Sequence, residues 1–272
     1  MTAVQYTTTD LLQVMRKLRD PVAGCPWDLQ QDFRSIVPST LEECYELAQA
    51  IEHGDFDHVA EELGDVLFQV VFYTQLGEEK DLFSFQSVVN TLVQKLIRRH
   101  PHVFPEDGID GVAETPSSVE EVKASWESIK RAERQARNQS GVLADIPLAL
   151  PALSRAQKVQ KRAAQVNFDW ADSTAVVEKL QEELDELRLA LSAQDAGAIH
   201  EEIGDLLFTC VNLARHLGLD AEESLRSSTG KFERRFQAME AMATTEGEEL
   251  SSLGEQRYDQ FWRRAKAKLA GR

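Results

Sequence analysis

The chain has 272 residues, enough for about two domains of ordinary size. Its hydrophobic content of 42% and charged content of 28% are typical of a folded globular protein rather than a disordered one. Acidic residues outnumber basic ones 46 to 30, so the net charge is −16. Because this charge repels nucleic-acid backbones and anionic membranes, we expect neither a nucleic-acid polymer nor a membrane as a partner.

The cysteines and the N-terminal residues indicate a compartment. There are three cysteines, none in a C-x-x-C spacing, so neither a disulfide framework nor a structural zinc site is expected. Residues 1–10 are polar and lack the basic and apolar regions of a signal peptide, and no apolar run reaches the roughly 18 residues of a membrane span. We therefore expect a cytoplasmic protein.

Helical periodicity dominates the first half of the chain. An aromatic loop at residues 25–28 precedes two acidic helices, which are joined by a short turn at residues 53–55. A basic helix and a helix that carries a tryptophan follow. The residues that stand out on these four helices are Glu43, Glu46, Glu62, Asp65, Lys95, Arg98, Arg99 and Trp126.

The second half repeats this order. The acid pattern E-E-x-x-E followed by E-x-x-D recurs at a constant offset of 140 residues, from Glu43 to Glu183 and from Asp65 to Asp205. The complete second set is Glu183, Glu186, Glu202, Asp205, Lys231, Arg234, Arg235 and Trp262. The sequence thus predicts an all-α fold of two tandem helical-bundle modules, residues 1–139 and 140–272, because residues 140–151 contain two prolines and suit a boundary.

The acid spacing predicts a metal site in each module. Residues three apart share one helix face, and the helical wheel places Glu183 about 60° from Leu180, beside the apolar stripe of Leu180, Leu184, Leu187 and Leu191. Acids at the seam of two packed helices would repel each other unless a cation lay between them. Ligands that are all oxygens favour Mg²⁺, or Mn²⁺, over zinc or copper, and the E-x-x-H motif of di-iron bundles is missing.

Exposed acidic helix positions are the simpler interpretation of one such motif. Duplication in one register makes the metal site the stronger hypothesis. Lys231, Arg234 and Arg235 could then bind the outer phosphates of a small phosphate ester. The alternative for these basic residues is a solvated stripe on the helix surface. A nucleoside triphosphate is the expected substrate, with Trp262 or Phe168 as the aromatic that stacks on its base.

The chain resembles the MazG family of nucleoside triphosphate pyrophosphohydrolases in its two-module form. The resemblance covers nearly the whole chain and is carried by both acid sets and by five further stretches, at residues 24–28, 98–104, 150–153, 155–158 and 231–236. It implies the all-α NTP pyrophosphatase fold, Mg²⁺-dependent hydrolysis of NTPs or dNTPs to monophosphate and pyrophosphate with broad base tolerance, and a homodimer.

The resemblance also implies roles for individual residues. The second module would be the active one. Its metal ligands would be Glu183, Glu186, Glu202 and Asp205, and its substrate-binding residues Lys179, Lys231, Arg234, Arg235 and Trp262. The first module keeps all four acids, so its inactivity follows from the resemblance alone. The family's aromatic loop usually has glycine where this chain has Asn167; asparagine tolerates a left-handed backbone, so we expect the loop to be kept.

The expected reaction is attack of water on the α-phosphorus, with Glu182 as the candidate that positions the water. Two alternatives stay open. One is a narrow specificity for dUTP, dCTP or a damaged nucleotide. The other is a dimeric nucleotide-binding regulatory module that turns over little substrate.

Overall fold

The structure is a computed structural model that describes residues 5–104, 108–109, 118–136 and 141–270. The chain divides into two compact units, residues 1–132 and 133–272. The described residues form helices and no strand, which confirms the all-α prediction. The predicted module boundary lies between residues 139 and 140, outside the described residues, so it stays a prediction.

The first unit is built around its longest helix, α4. Helices α1, α3 and α5 each pack against α4. Its core consists of Met15, Ile36, Val71, Phe72 and Leu76. The helices that begin in this unit are α1 (Thr8–Leu18), α2 (Pro26–Gln30), α3 (Val37–His53), α4 (Phe56–Glu79), α5 (Phe85–Arg99) and α6 (Val119–Ala136).

In the second unit, α9 packs against α7, α8 and α10, and α11 packs on α10. A core of Met239, Ala243, Phe261 and Ala265 holds α10 and α11 together. The helices are α7 (Ala152–Ala164), α8 (Ser173–Ala193), α9 (Ala196–His216), α10 (Ala221–Thr245) and α11 (Glu255–Ala270). The order of acidic, acidic, basic and tryptophan-bearing helices is therefore the predicted one in both units.

Two tight turns place the acidic helices side by side. Gly54 ends α3 in the left-handed conformation, with φ 70°, and the side chain of Asp55 caps α4. In the second unit Gln194 ends α8 with φ 55°, and Asp195 caps α9 by accepting hydrogen bonds from the backbone of Gly197 and Ala198. Because each turn reverses the chain within a few residues, the two acid motifs of a unit lie on adjacent helices.

The apolar face of α8 differs in part from the predicted stripe. Its buried residues are Val176, Glu183, Leu187 and Ala190. Of the stripe, Leu187 is buried, whereas Leu191 is 54% exposed. Leu180 and Leu184 are half-buried, so burial along the stripe decreases toward the end of α8.

Two further predictions were that no helix spans a membrane and that the cysteines form no disulfide framework. Among the described residues, no helix combines the length and apolar character needed to cross a membrane. Cys25, Cys44 and Cys210 are free thiols, which agrees with the expectation of no disulfide framework.

Candidate active site

Three acids of the second unit converge between α8 and α9. One carboxylate oxygen each from Glu183, Glu186 and Glu202 lies within 4.8 Å of the others. Glu183 is buried at 5% exposure, whereas Glu186 is exposed and Glu202 is half-buried. The three therefore form a group of negative charge that is buried at Glu183 and open to solvent at Glu186.

Asp205 lies outside this group of three and is exposed. It is still close enough to act on Glu202. The pKa of Glu202 is raised, first by burial and then by the charges of Glu186, Glu183 and Asp205. The four predicted acids thus share one electrostatic environment, although only three of them bring ligand atoms together.

Lys179 provides a cation at this site from one turn earlier on α8. Its Nζ lies 2.6 Å from Oε1 of Glu182 and 3.0 Å from Oε1 of Glu183. Hydrogen bonds to Glu182, and then to Glu183, raise the pKa of Lys179, so the ammonium stays charged. The predicted water-positioning residue Glu182 is therefore tied to the same lysine as the buried acid Glu183.

The first unit contains the corresponding group. One carboxylate oxygen each from Glu43, Glu46 and Glu62 lies within 4.8 Å of the others, and Asp65 is exposed outside the three. The pKa of Glu43 is raised, first by burial and then by the charges of Asp65, Glu46 and Glu62. The acid group predicted from sequence thus recurs in both units, but the acid with the raised pKa is Glu43 on the first acidic helix in one unit and Glu202 on the second acidic helix in the other.

Sequence reasoning missed His58 at the first-unit acids. Its Nε2 lies 2.6 Å from Oε1 of Glu62, and Glu62 is buried at 7% exposure. The spacing of four residues on one helix was the available signal. It could not be interpreted without knowing that Glu62 faces inward.

The predicted phosphate-binding residues of the second unit lie on α10. Lys231 and Arg234 are exposed, and Arg235 is half-buried. None of them forms an ion pair with the acids of α8 and α9 in the part of the chain that the structure describes. The structure therefore leaves them as available cations and does not join them to the acid group.

Trp262 packs inside the second unit rather than standing free. Its ring lies 5.4 Å from that of Phe232, and Nζ of Lys266 lies 5.7 Å from its centre. Trp126 of the first unit has a different neighbour, since its ring meets the edge of His100 at 5.0 Å. Lys95, Arg98 and Arg99 lie on α5 as predicted, with Arg98 exposed and the other two half-buried.

Comparison with known proteins identifies the family. The model of the MazG nucleotide pyrophosphohydrolase domain matches the chain twice, at residues 31–104 and 172–239. The first match contains one complete acid set and all of α5, and the second contains the other acid set and the first part of α10. The chain belongs to the MazG family.

Similar proteins extend the match over nearly the full chain. The nucleoside triphosphate pyrophosphohydrolase of Escherichia coli strain K12 is 47% identical over 94% of this chain and 95% of its own length. The nucleoside triphosphate pyrophosphohydrolase/pyrophosphatase MazG of Thermotoga maritima is 43% identical over 94% of both chains. YabN of Bacillus subtilis, an uncharacterized protein, is 42% identical over 93% of this chain and 50% of its own length.

The aromatic loop of this MazG chain contains an asparagine with a left-handed backbone. Asn167 adopts φ 63°, a left-handed conformation that asparagine tolerates better than most residues. Beside it lies a cavity of about 630 Å³, whose lining includes Phe168, Trp170, Phe208 and Asn212. The backbone at Asn167 thus has the left-handed conformation that glycine also adopts, and conservation of the loop stays a prediction.

An ion-pair network that the sequence did not reveal anchors this loop. Arg215 donates hydrogen bonds to both carboxylate oxygens of Asp169, and Nε2 of His216 lies 3.1 Å from Oδ1 of Asp169. Burial alone would raise the pKa of Asp169, but the bonds from Arg215 and His216 lower it. The acid therefore holds the loop against the end of α9 as a carboxylate.

Proposed function

We propose that this MazG chain hydrolyses nucleoside triphosphates to the monophosphate and pyrophosphate, with Mg²⁺ held at the second-unit acids. The observation that carries the proposal is the convergence of Glu183, Glu186 and Glu202 within 4.8 Å. Membership of a family of nucleotide pyrophosphohydrolases supports the reaction class. Mn²⁺ would serve in place of Mg²⁺, since both accept oxygen ligands.

The acid group fits such a cation. Its donors are all carboxylate oxygens. The pKa of Glu202 is raised by burial and then by the charges of the neighbouring acids, and a divalent cation would relieve that repulsion. Asp205, one turn beyond Glu202 on α9, would complete the set of ligands. When bound, the metal supplies charge neutralisation at the phosphates and lowers the pKa of the attacking water.

The remaining residues of the second unit would bind and orient the substrate. Lys179 holds Glu182 at 2.6 Å, so that carboxylate has a fixed position from which it can accept a proton from water. Lys231, Arg234 and Arg235 would bind the outer phosphates, since no acid of the described residues forms an ion pair with them. Trp262 would contact the nucleotide from α11.

The second unit is the one we propose to be catalytic. The cation beside its acids, Lys179, corresponds to Ser39 in the first unit at the offset of 140 residues. Without that lysine, Glu42, the counterpart of Glu182, has no equivalent support from the preceding turn. This difference favours turnover in the second unit.

Broad base tolerance is the specificity we propose. The cavity beside the loop offers Phe168 and Trp170, and an aromatic ring stacks on any base because every base has a π-face. Phe168 is 79% exposed, which leaves its ring available for such stacking. A narrow preference would instead need polar groups that match one base edge.

The test is release of pyrophosphate by the full chain with Mg²⁺, measured across the four common NTPs and four dNTPs. Glu186→Gln should abolish release by removing one ligand, while the matched first-unit variant Glu46→Gln should retain most of it. Release from a single nucleotide would favour the narrow-specificity alternative. Tight nucleotide binding without release would favour the regulatory module and contradict the proposal.

We also propose that the chain forms a homodimer through the acidic helix hairpins. Apolar side chains at the same register of α4 and α9 are exposed within one chain. They are Leu63 and Leu67 at 52% and 43%, and Ile203 and Leu207 at 42% and 52%. Exposed apolar positions that recur in both units are typical of an interaction surface.

A further inference from the structure

The cavity beside the aromatic loop has the size and chemistry of a site for an uncharged ring. Its volume of about 630 Å³ lies within the roughly 300–1,000 Å³ of small-molecule sites. Val142, Val166 and the ring of Trp170 are among its lining residues. Its charged lining residues, Asp169 and Arg215, pair with each other, so the cavity suits a flat neutral group better than a phosphate.

Asn212 brings a hydrogen-bond donor of fixed orientation to this cavity. Its side chain is buried and lines the cavity. Nε and Nη2 of Arg215 lie 3.1 and 2.6 Å from Oδ1 of Asn212, and an arginine can only donate, so the amide oxygen faces Arg215. Nδ2 of Asn212 forms no hydrogen bond within the part of the chain that the structure describes, and it is therefore left to donate to a ligand.

The aromatic loop holds this donor in place. Arg215 donates to both carboxylate oxygens of Asp169 in the loop as well as receiving Oδ1 of Asn212. One guanidinium thus fixes the loop and the amide together. Because the amide is oriented before a ligand arrives, binding does not have to order it.

A second buried amide lines the cavity with an acceptor that has no partner. Nε2 of Gln160 donates to the backbone carbonyl of Phe208 at 2.8 Å. Oε1 of Gln160 is buried and has no hydrogen-bond partner among the described residues. Such atoms cost free energy and are rare in folded proteins, so the cavity wall has polar groups that a ligand would complete.

The first unit has no such donor at the corresponding position. At the offset of 140 residues, Asn212 corresponds to Phe72 and Phe208 to Phe68. Phe72 belongs to the core of the first unit, and the ring of Phe68 meets it edge-on at 5.8 Å. A phenylalanine fills space there and cannot donate a hydrogen bond, so this difference separates the two units.

One face of α9 joins the cavity to the acid group. Asp205, Phe208 and Asn212 follow one another at spacings of three and four residues, which places them along a single helix face. Asp205 and Asn212 are about 10 Å apart along the helix axis. A ribose with its phosphate spans a gap of this size, so a nucleotide whose phosphates lie at the acids reaches Asn212 with its base.

We propose that Nδ2 of Asn212 donates a hydrogen bond to the base of the bound nucleotide, and that the second unit thereby distinguishes nucleotides from inorganic polyphosphates. This rests on the proposed function and deepens it by naming a specificity-determining residue. Each common base carries a ring nitrogen or carbonyl oxygen that accepts a hydrogen bond. The donor therefore holds any of them, in agreement with broad base tolerance.

The test measures binding to the full chain with Mg²⁺ by calorimetry and needs no turnover. The probes are the α,β-methylene analogues of ATP and UTP, which cannot release pyrophosphate, and inorganic tripolyphosphate, which has no base. Asn212→Leu should raise the dissociation constant of both analogues about tenfold, the effect of one neutral hydrogen bond. The same variant should bind tripolyphosphate as the unchanged protein does.

Two further variants separate lost recognition from a damaged fold. Asn212→Asp keeps an oxygen for Arg215 but cannot donate, so it should weaken the analogues at least as much as Asn212→Leu. Gln157→Leu removes another amide of the second unit, one that binds the backbone of Leu219 and Ala221 outside the cavity. It should leave the dissociation constants of all three probes unchanged.

Three results would overturn the proposal. They are equal binding of the analogues by Asn212→Leu and the unchanged protein, a loss of tripolyphosphate binding in Asn212→Leu as large as the loss of analogue binding, and full affinity for the analogues in Asn212→Asp. Pyrophosphate release from ATP is measured separately. If it is absent while the analogues still depend on Asn212, the proposed function fails and the base-binding role of Asn212 stands.

Discussion

Nζ of Lys179 lies 3.0 Å from Oε1 of Glu183, a buried carboxylate one turn further along α8. The same ammonium holds Glu182 at 2.6 Å. One lysine therefore positions both a proposed metal ligand and the proposed water-positioning residue. In the first unit the equivalent residue is Ser39, which is too short for either role.

Replacing Lys179 should impair turnover. In Lys179→Met, Glu182 loses its support and Glu183 stays buried without a cation, so we expect kcat for pyrophosphate release to fall about 100-fold, the usual cost of a misplaced catalytic group. Steady-state kinetics with ATP and Mg²⁺ measures this. The control is Arg188→Met on the same helix, which breaks only the exposed pair with Asp185 and should leave kcat within about twofold.

The ion pair between Arg19 and Glu79 should stabilise the first unit. Arg19 is buried at 9% exposure, and its guanidinium donates to Glu79 at 2.8 and 2.7 Å. Glu79→Gln leaves part of a buried cation unpaired, so the free energy of unfolding should fall by about 2 kcal/mol. Urea unfolding at pH 7 measures the loss, and an equal stability of both proteins would contradict the assignment.

The same pair should make stability depend on pH in one direction. Hydrogen bonds from Arg19 lower the pKa of Glu79 in the folded protein, while in the unfolded chain it has its ordinary value. The contribution is therefore complete above that ordinary value and is lost as pH falls through the lowered one. The difference in stability between the unchanged protein and Glu79→Gln should shrink over that acidic range.

Asn167 should tolerate glycine but not a β-branched residue. Its φ of 63° costs a residue such as valine about 1–2 kcal/mol, whereas glycine adopts it freely. Asn167→Val should lower the free energy of unfolding by that amount and Asn167→Gly should leave it nearly unchanged. The fluorescence of Trp170, in the same loop, reports the transition in urea.

If the proposed dimer surface is correct, a charged residue placed in it should reduce the mass of the protein in solution from that of a dimer to that of a monomer. Leu207→Asp and its register counterpart Leu67→Asp should convert the dimer to a monomer, because each places a carboxylate in an apolar interface. Sedimentation velocity measures the mass. Leu189→Asp is the control, since Leu189 is 70% exposed but corresponds to the polar Gln49 in the first unit. Dimerisation that survives both test variants would rule out this surface.

Much of the candidate site could be predicted because its residues are related by short spacings along single helices. Residues three apart on a helix share a face whatever surrounds them, so the pairing of Glu183 with Glu186 needed only the helical period. The turns at Gly54 and Gln194 then brought the second acidic helix of each unit alongside the first. The leucine stripe of α8 was less reliable, because which leucines are buried depends on where α9 packs.

The sequence by itself determined the helices, the duplicated register of acids and the family resemblance, since all three depend on residue type and short spacing. Only the tertiary structure decided which acid of each group is buried, that Asp205 lies outside the group of three, and that Arg215 binds Asp169, 46 residues earlier in the chain. The partners His58 and Lys179 stand at ordinary helical spacing, but their effect depends on the burial of Glu62 and Glu183. Burial depends on how the neighbouring helices pack, so no local sequence pattern predicts it.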